Sequence, residues 1–174
     1  MRPDTRVAKS IDTTKAKASA PDAALAILCG VLASMSVAAF ALMVAGIVAL
    51  AAAHAVFAHH AVLVAVQIAA VLLMIAARVT FGRRSFHAAA NPTSGGLVTT
   101  GPYAFVRHPI YAAVLYFVWA GALDTPSTLA IAAALLVSAG AVARIAAEER
   151  LLVERYPEYA DYMRRVRRVV PFVF

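Results

Sequence analysis

The side chains best suited to chemistry fall in three places: the run Gly101-Pro102-Tyr103-Ala104-Phe105-Val106-Arg107-His108-Pro109-Ile110-Tyr111, the pair Glu148-Glu149, and the ending Tyr156 to Arg168. In the first, a glycine and two prolines interrupt regular backbone, so carbonyls and amides there need water, protein or a ligand as partners. Pro109 suits the first position of a helix and His108 its cap. The free amides and positive dipole end of that helix, reinforced by Arg107 or His108, suit an anionic group, and Tyr111 can stack with or hydrogen-bond the same ligand. Adjacent carboxylates at Glu148 and Glu149 can accept hydrogen bonds from hydroxyl or ammonium groups. Each feature also has a plain structural use. Arg107 can snorkel to lipid phosphate, His108 can cap the helix, and Tyr111 can join an aromatic belt. Arg144 with Glu148 and Arg150 with Glu154 have helical i,i+4 spacing, whereas Val153 leaves Glu149 without such a partner, which puts Glu149 ahead of Glu148. Tyr156, Tyr159, Tyr162, Arg164, Arg165, Arg167 and Arg168 mix aromatic and basic character. A segment of that kind is drawn to anionic headgroups by about 1 kcal/mol per basic residue.

The elements that must hold these groups are membrane helices. Hydrophobic residues make up 63% of the 174, and the mean hydropathy of +0.79 lies far above that of soluble domains. All 16 Lys and Arg lie in three blocks, Arg2 to Lys17, Arg78 to Arg107 and Arg144 to Arg168, separated by two stretches without a basic residue. If each stretch crosses the membrane and returns, the blocks share one side, which the positive-inside rule makes the cytoplasm. The expected fold is all-α and polytopic: about four transmembrane helices, near 23–51, 61–77, 109–123 and 127–147, with both termini cytoplasmic and a C-terminal helical cap at 148–174. The stretch from Pro109 to Leu123, at 1.5 Å per residue about 22 Å long, falls short of a hydrocarbon core of about 30 Å, so this helix is expected to be short, tilted or set in thinned bilayer. Residues 1–22 read as a disordered cytoplasmic tail and 23–174 as one domain, with a first helix too long for a cleavable signal. The loop from Arg83 to Thr100 reads as a mobile connection or lid, or equally as a plain surface loop. Cys29 is the only cysteine, so no intrachain disulfide forms. The formal charge of +7 flanks membrane segments and no reading motif accompanies it, so nucleic acid is not an expected partner.

The Gly101–Tyr111 run, with Thr99-Thr100 before it, Glu148-Glu149 beyond the apolar region and Tyr159-Ala160-Asp161-Tyr162 followed by Val166, Arg168 and Pro171, resembles the isoprenylcysteine carboxyl methyltransferase and phospholipid methyltransferase superfamily. The likeness covers roughly the C-terminal half, with the elements in the family's order. It implies an integral membrane enzyme that uses S-adenosylmethionine, bound by the membrane-edge motif and the C-terminal segment; no Gly-x-Gly-x-x-Gly fingerprint offers a soluble-type cofactor domain instead. It implicates Tyr103, Arg107, His108, Pro109, Tyr111, Glu148, Glu149, Tyr159, Tyr162 and Arg168 in cofactor binding, with Glu149 and His108 as candidate general bases for an amine, thiol or hydroxyl acceptor; a carboxylate acceptor would need none. Two positions depart from the family pattern: Ala113 stands where glycine is common, and Pro157 follows Tyr156 where an aromatic-glycine pair is usual. The implied partners are membrane lipids and a lipophilic acceptor that enters between helices. A haem-binding four-helix bundle using some of the five histidines, or a non-catalytic membrane subunit, is the alternative.

Overall fold

The computed structural model describes residues 20–82 and 96–170, with side chains from Gly30 onward. Most of the expected leading tail, and of the Arg83–Thr100 loop with His87, lies outside these residues. The described chain is helical: α1 (Ala20–Ala52), α2 (Ala61–Phe81), a 3-10 turn (Gly101–Ala104), α3 (Pro109–Asp124), α4 (Thr128–Arg155) and α5 (Tyr159–Arg165).

Local chemistry sets the ends of these helices. Gly82, at φ +69°, closes α2 by donating its amide to the Arg78 carbonyl. His108 caps α3 and Pro109 is its first residue. Ser127 Oγ accepts from the Ala130 amide at 3.1 Å and caps α4. Sequence reading placed the last span near 127–147, but α4 continues to Arg155 because nothing in Glu148–Arg155 breaks a helix. It stops where Tyr156 precedes Pro157, a position that disfavours helical backbone.

Helix α1 packs along α4, α2 along α3, and α3 against α4. The core they share is built largely of small side chains, with Ala130, Ala133, Ala134, Val137 and Ala141 of α4 meeting Met43 and Leu50 of α1 and Val118 of α3. Small residues let backbones approach closely where lipid removes the usual hydrophobic drive between helices. At Gly46 an added Cβ would lie 2.6 Å from Val137 Cγ2, and at Gly140 one would lie 2.7 Å from the Ala39 carbonyl. The Gly46 face is therefore taken by α4 of the same chain.

The end of the bundle away from Tyr111 is pinned by two polar side chains. Asp124, with its carboxylate only 2% exposed, accepts from the backbone amides of His59 and His60, each at 2.9 Å, and contacts both imidazoles. Gln67 of α2 accepts from the Ala58 amide at 3.0 Å and donates to the carbonyls of Val56 at 2.7 Å and Phe117 at 3.1 Å. The 53–60 connection is thus fastened to the ends of α2 and α3.

Three helices, Gly30–Ala52 within α1, α2 and α4, are long and apolar enough to cross a membrane. Helix α3, with 16 residues, is about 24 Å long and falls short of the roughly 30 Å hydrocarbon core, as its sequence predicts.

Gly121 faces the 53–60 connection so closely that a Cβ there would sit 2.3 Å from the Ala55 carbonyl and 2.6 Å from that of Val56, both backbone atoms. Gly121→Ala is expected to destabilise the protein by about 1–3 kcal/mol, read as a lower thermal midpoint in detergent. Gly30→Ala, where nothing lies within 4 Å, should leave that midpoint unchanged or slightly raised.

Candidate functional site

The site is assembled where the chain enters α3. Gly101 adopts φ +58°, and a Cβ there would lie 2.9 Å from Thr80 Oγ1, so this glycine lets the 3-10 turn close against the end of α2. Tyr103, buried in that turn, has its ring 5.6 Å from that of Phe81. The next residues run parallel to the C-terminal tail: the Arg107 amide donates to the Arg167 carbonyl at 2.7 Å and the His108 amide to the Arg168 carbonyl at 2.9 Å. The backbone left unpaired by Pro102 and Pro109 thus finds partners in residues about sixty positions downstream.

Side chains complete the joint. Arg107 donates from Nε at 3.0 Å and Nη2 at 2.7 Å to Glu149 Oε1, and its Nη1 donates to the Met163 carbonyl at 3.0 Å and to that of Val166. Arg168 grips the other oxygen, Glu149 Oε2, from Nε at 3.0 Å and Nη2 at 2.9 Å. His108 Nε2 lies 3.2 Å from Glu149 Oε1; an ionised carboxylate only accepts, so this nitrogen carries the proton. Both oxygens of Glu149, a residue 5% exposed, are therefore engaged by cationic or N–H donors.

Glu148 stands differently. Its Oε1 accepts from the Tyr111 hydroxyl and from Arg144 Nη2 at 3.4 Å. Oε2 lies 3.9 Å from His108 Nδ1, beyond hydrogen-bond reach, and the side chain is 23% exposed. Arg144 also donates from Nε to the Tyr111 hydroxyl at 2.7 Å and from Nη1 to the Ser36 carbonyl of α1 at 3.2 Å, while its guanidinium lies 5.2 Å from the Phe40 ring centroid. Sequence reading treated Arg144 only as a helical partner of Glu148. The signal that marks it was nevertheless present: Ala130, Ala134, Val137, Ala141 and Arg144 follow helical spacing on the buried face of α4, so an arginine stands in line with the core. Ser36 and Phe40 carried no comparable signal.

The tail is held by further contacts. The Tyr162 hydroxyl donates to the Tyr103 carbonyl at 2.5 Å, Tyr116 of α3 donates to the Val169 carbonyl at 2.9 Å, and Val169 packs with Ala112 and Ile145. Tyr159 is 1% exposed, and its hydroxyl is the one buried side-chain polar atom among the described residues without a hydrogen-bond partner. Around Pro157 the chain turns tightly: the Tyr159 amide bonds the Tyr156 carbonyl at 3.0 Å and α5 begins at once. Ala113 is buried. The structure thus brings Tyr103, Arg107, His108, Pro109, Tyr111, Glu148, Glu149, Tyr159, Tyr162 and Arg168 to one end of the bundle. Arg164 and Arg165 stay exposed. His59 and His60 lie with Asp124 at the opposite end of α3 from His108, so they share no depth with it for a haem. Among the described residues no group of three or more His, Cys, Asp and Glu could hold a metal ion.

Burial raises the phenols of the cap, with Tyr162 pushed up to about 12 and Tyr103 and Tyr159 also shifted upward. A raised folded-state value means that unfolding releases these protons first. The stability they confer is whole below the ordinary tyrosine value near 10 and is lost as pH climbs towards about 12. The thermal midpoint in detergent should fall over that window in step with tyrosinate absorbance. Tyr162→Phe should make the fall shallower while lowering the midpoint at neutral pH.

Over 70 residues, 40% of this chain, the sequence is 43% identical to the nickel-cobalt-cadmium resistance protein NccN of Alcaligenes xylosoxydans xylosoxydans, 33% of which is covered. Over 70 residues it is 37% identical to the cobalt-zinc-cadmium resistance protein CzcN of Cupriavidus metallidurans, of which 32% is covered. The matched stretch thus spans about a third of these relatives' length. No solved structure matches the chain. The family model for phospholipid methyltransferase matches residues 49–159, more than half of the chain. That match runs from the end of α1 through the Gly101–Tyr111 motif and the Glu148-Glu149 pair to Tyr159, and the chain belongs to the phospholipid methyltransferase family.

Proposed function

We propose that the protein transfers a methyl group from S-adenosylmethionine to a lipophilic acceptor at the cytoplasmic face of a membrane, with α1 to α4 as four spans and both termini on that face. The observation that carries this reading is the convergence of the α3 entrance, the acidic pair of α4 and the C-terminal tail on Glu149. Membership of a methyltransferase family supplies the reaction class. The basic residues Arg78, Arg107, Arg144, Arg155 and Arg168 gather towards the site end, and the connections at the other end contain no Lys or Arg, which supports a cytoplasmic site.

The residues present suit the donor's polar groups. Helix geometry leaves the Ile110 and Tyr111 amides at the start of α3 without intrahelical partners, a fitting place for a carboxylate. The Tyr159 hydroxyl, the one buried side-chain polar atom without a hydrogen-bond partner among the described residues, can pair with a polar group of the donor. When bound, the donor supplies an activated methyl on sulfur. The protein's part is to align the acceptor with that methyl and to exclude water. Arg107, Arg168 and His108 hold the tail over the site through Glu149, and Tyr103, Tyr159 and Tyr162 fill the cap. An apolar acceptor reaches this end of the bundle sideways from the bilayer. Carboxylate, amine and thiol acceptors all suit this scheme.

Purified protein in detergent should bind S-adenosylmethionine by calorimetry. Glu149→Ala, which unties motif and tail together, should weaken that binding at least about tenfold, or about 1.4 kcal/mol. Membrane extracts given isotopically labelled donor should yield a labelled lipophilic product by mass spectrometry that vanishes with Glu149→Ala and His108→Ala. Absence of donor binding by the wild-type protein would remove the proposal.

A further inference from the structure

The two glutamates of the pair are adjacent in sequence yet differ in what remains open to a ligand. Glu149 has both oxygens committed to Arg107, His108 and Arg168, so it has little capacity left to take a hydrogen bond or a proton. Glu148 Oε1 is held by Tyr111 and Arg144, and its Oε2 has no hydrogen-bond partner among the described residues.

The grip on Oε1 is directional. The Tyr111 hydroxyl accepts from Arg144 Nε, so its own proton points at Glu148, and both donors fix the carboxylate on the same oxygen. Arg144 is in turn held from α1 through the Ser36 carbonyl and the Phe40 ring. A guanidinium buried in the line of an apolar helix face carries a desolvation cost, and such groups in membrane helices are commonly kept for a function.

Resting on the methyl-transfer reading, the geometry points to Glu148 Oε2 as the proton acceptor of the reaction, with Tyr111 and Arg144 as positioning residues that hold it. The acceptor's nitrogen or sulfur, bearing an N–H or S–H, forms its bond to the methyl carbon as the carbon–sulfur bond of the sulfonium breaks to leave a neutral thioether. The acceptor's proton goes to Glu148 Oε2, so the charge lost at sulfur is balanced by neutralisation of the carboxylate. An acceptor of this class meets a hydrogen-bond acceptor in Glu148, whereas an ionised carboxylate acceptor meets a like charge in a poorly screened site. The sequence puts Glu149 ahead of Glu148 in the site because Glu149 lacks a helical partner, and offers Glu149 and His108 as the candidate bases. The long-range partners of Glu149 reverse that ranking in this proposal.

The test uses the full-length protein in detergent with S-adenosylmethionine as donor and three acceptor probes in mixed micelles: phosphatidylethanolamine, a long-chain alkyl thiol and a farnesylated cysteine with a free carboxylate. Donor affinity is measured separately by calorimetry. With the amine or thiol probe, Glu148→Gln should lower kcat about 10²–10⁴-fold while donor Kd stays within about threefold. Glu148→Asp should recover part of the rate. Tyr111→Phe, which removes only the hydroxyl and keeps the ring, should lower kcat with donor Kd unchanged. Loss of donor binding in Glu148→Gln that accounts for the whole drop in rate would overturn the proposal and make Glu148 a donor ligand. Turnover of the farnesylcysteine carboxylate alone would also overturn it, while leaving methyl transfer intact. Donor binding without turnover of any probe counts against this assignment, and failure to bind the donor at all removes the methyl-transfer reading beneath it.

Discussion

Glu149 is the point on which the site end of the molecule depends. Its carboxylate is buried and belongs to α4, but its partners come from the entrance to α3 and from the tail beyond α5. Two charges taken out of water regain their lost solvation only through close and complete pairing, and here both oxygens are gripped by guanidinium forks. Removing one member of such a cluster leaves the others buried and uncompensated, at about 3–5 kcal/mol. The arrangement is therefore a lock between three segments as much as a set of contacts. The short parallel pairing of residues 107–108 with 167–168 follows from it, since the same arginines present both side chain and backbone.

A second constraint acts at the other end. Asp124 and Gln67 fasten the 53–60 connection to α2 and α3 by bonds to backbone amides and carbonyls. Close approach at Gly46, Gly121 and Gly140 ties α1 to α4 and the connection to α3. With that end pinned and the core filled by alanine, the bundle holds the N-terminus of α3 steady, and that is where the motif and the two glutamates meet. The short α3 places this terminus and the Asp124 clip about 24 Å apart.

Much of this was legible in the chain. The apolar stretches, the blocks of basic residues and Pro109 at a helix start fall where the elements begin and end. The ordered set of motif, acidic pair and aromatic tail pointed to the right family, as the match over residues 49–159 shows. Helix α4 runs to Arg155, past the expected end of the span near 147, because the polarity of Glu148–Arg155 does not by itself end a helix. Arg144 was undervalued. An i,i+4 partner at Glu148 offered a sufficient local account and hid its reach to Ser36 and Tyr111.

What the sequence determined by itself is therefore whatever depends on near neighbours: hydrophobic periodicity, caps, proline and glycine breaks, and which residues carry charge. Tertiary structure alone decided which charges from distant segments meet. Arg107 lies 42 residues from Glu149 and Ser36 lies 108 from Arg144, so no local spacing encodes either contact. Adjacent glutamates look alike on paper. They part company because successive residues on a helix point about 100° apart, which turns one towards the tail and the other towards Tyr111 and α1.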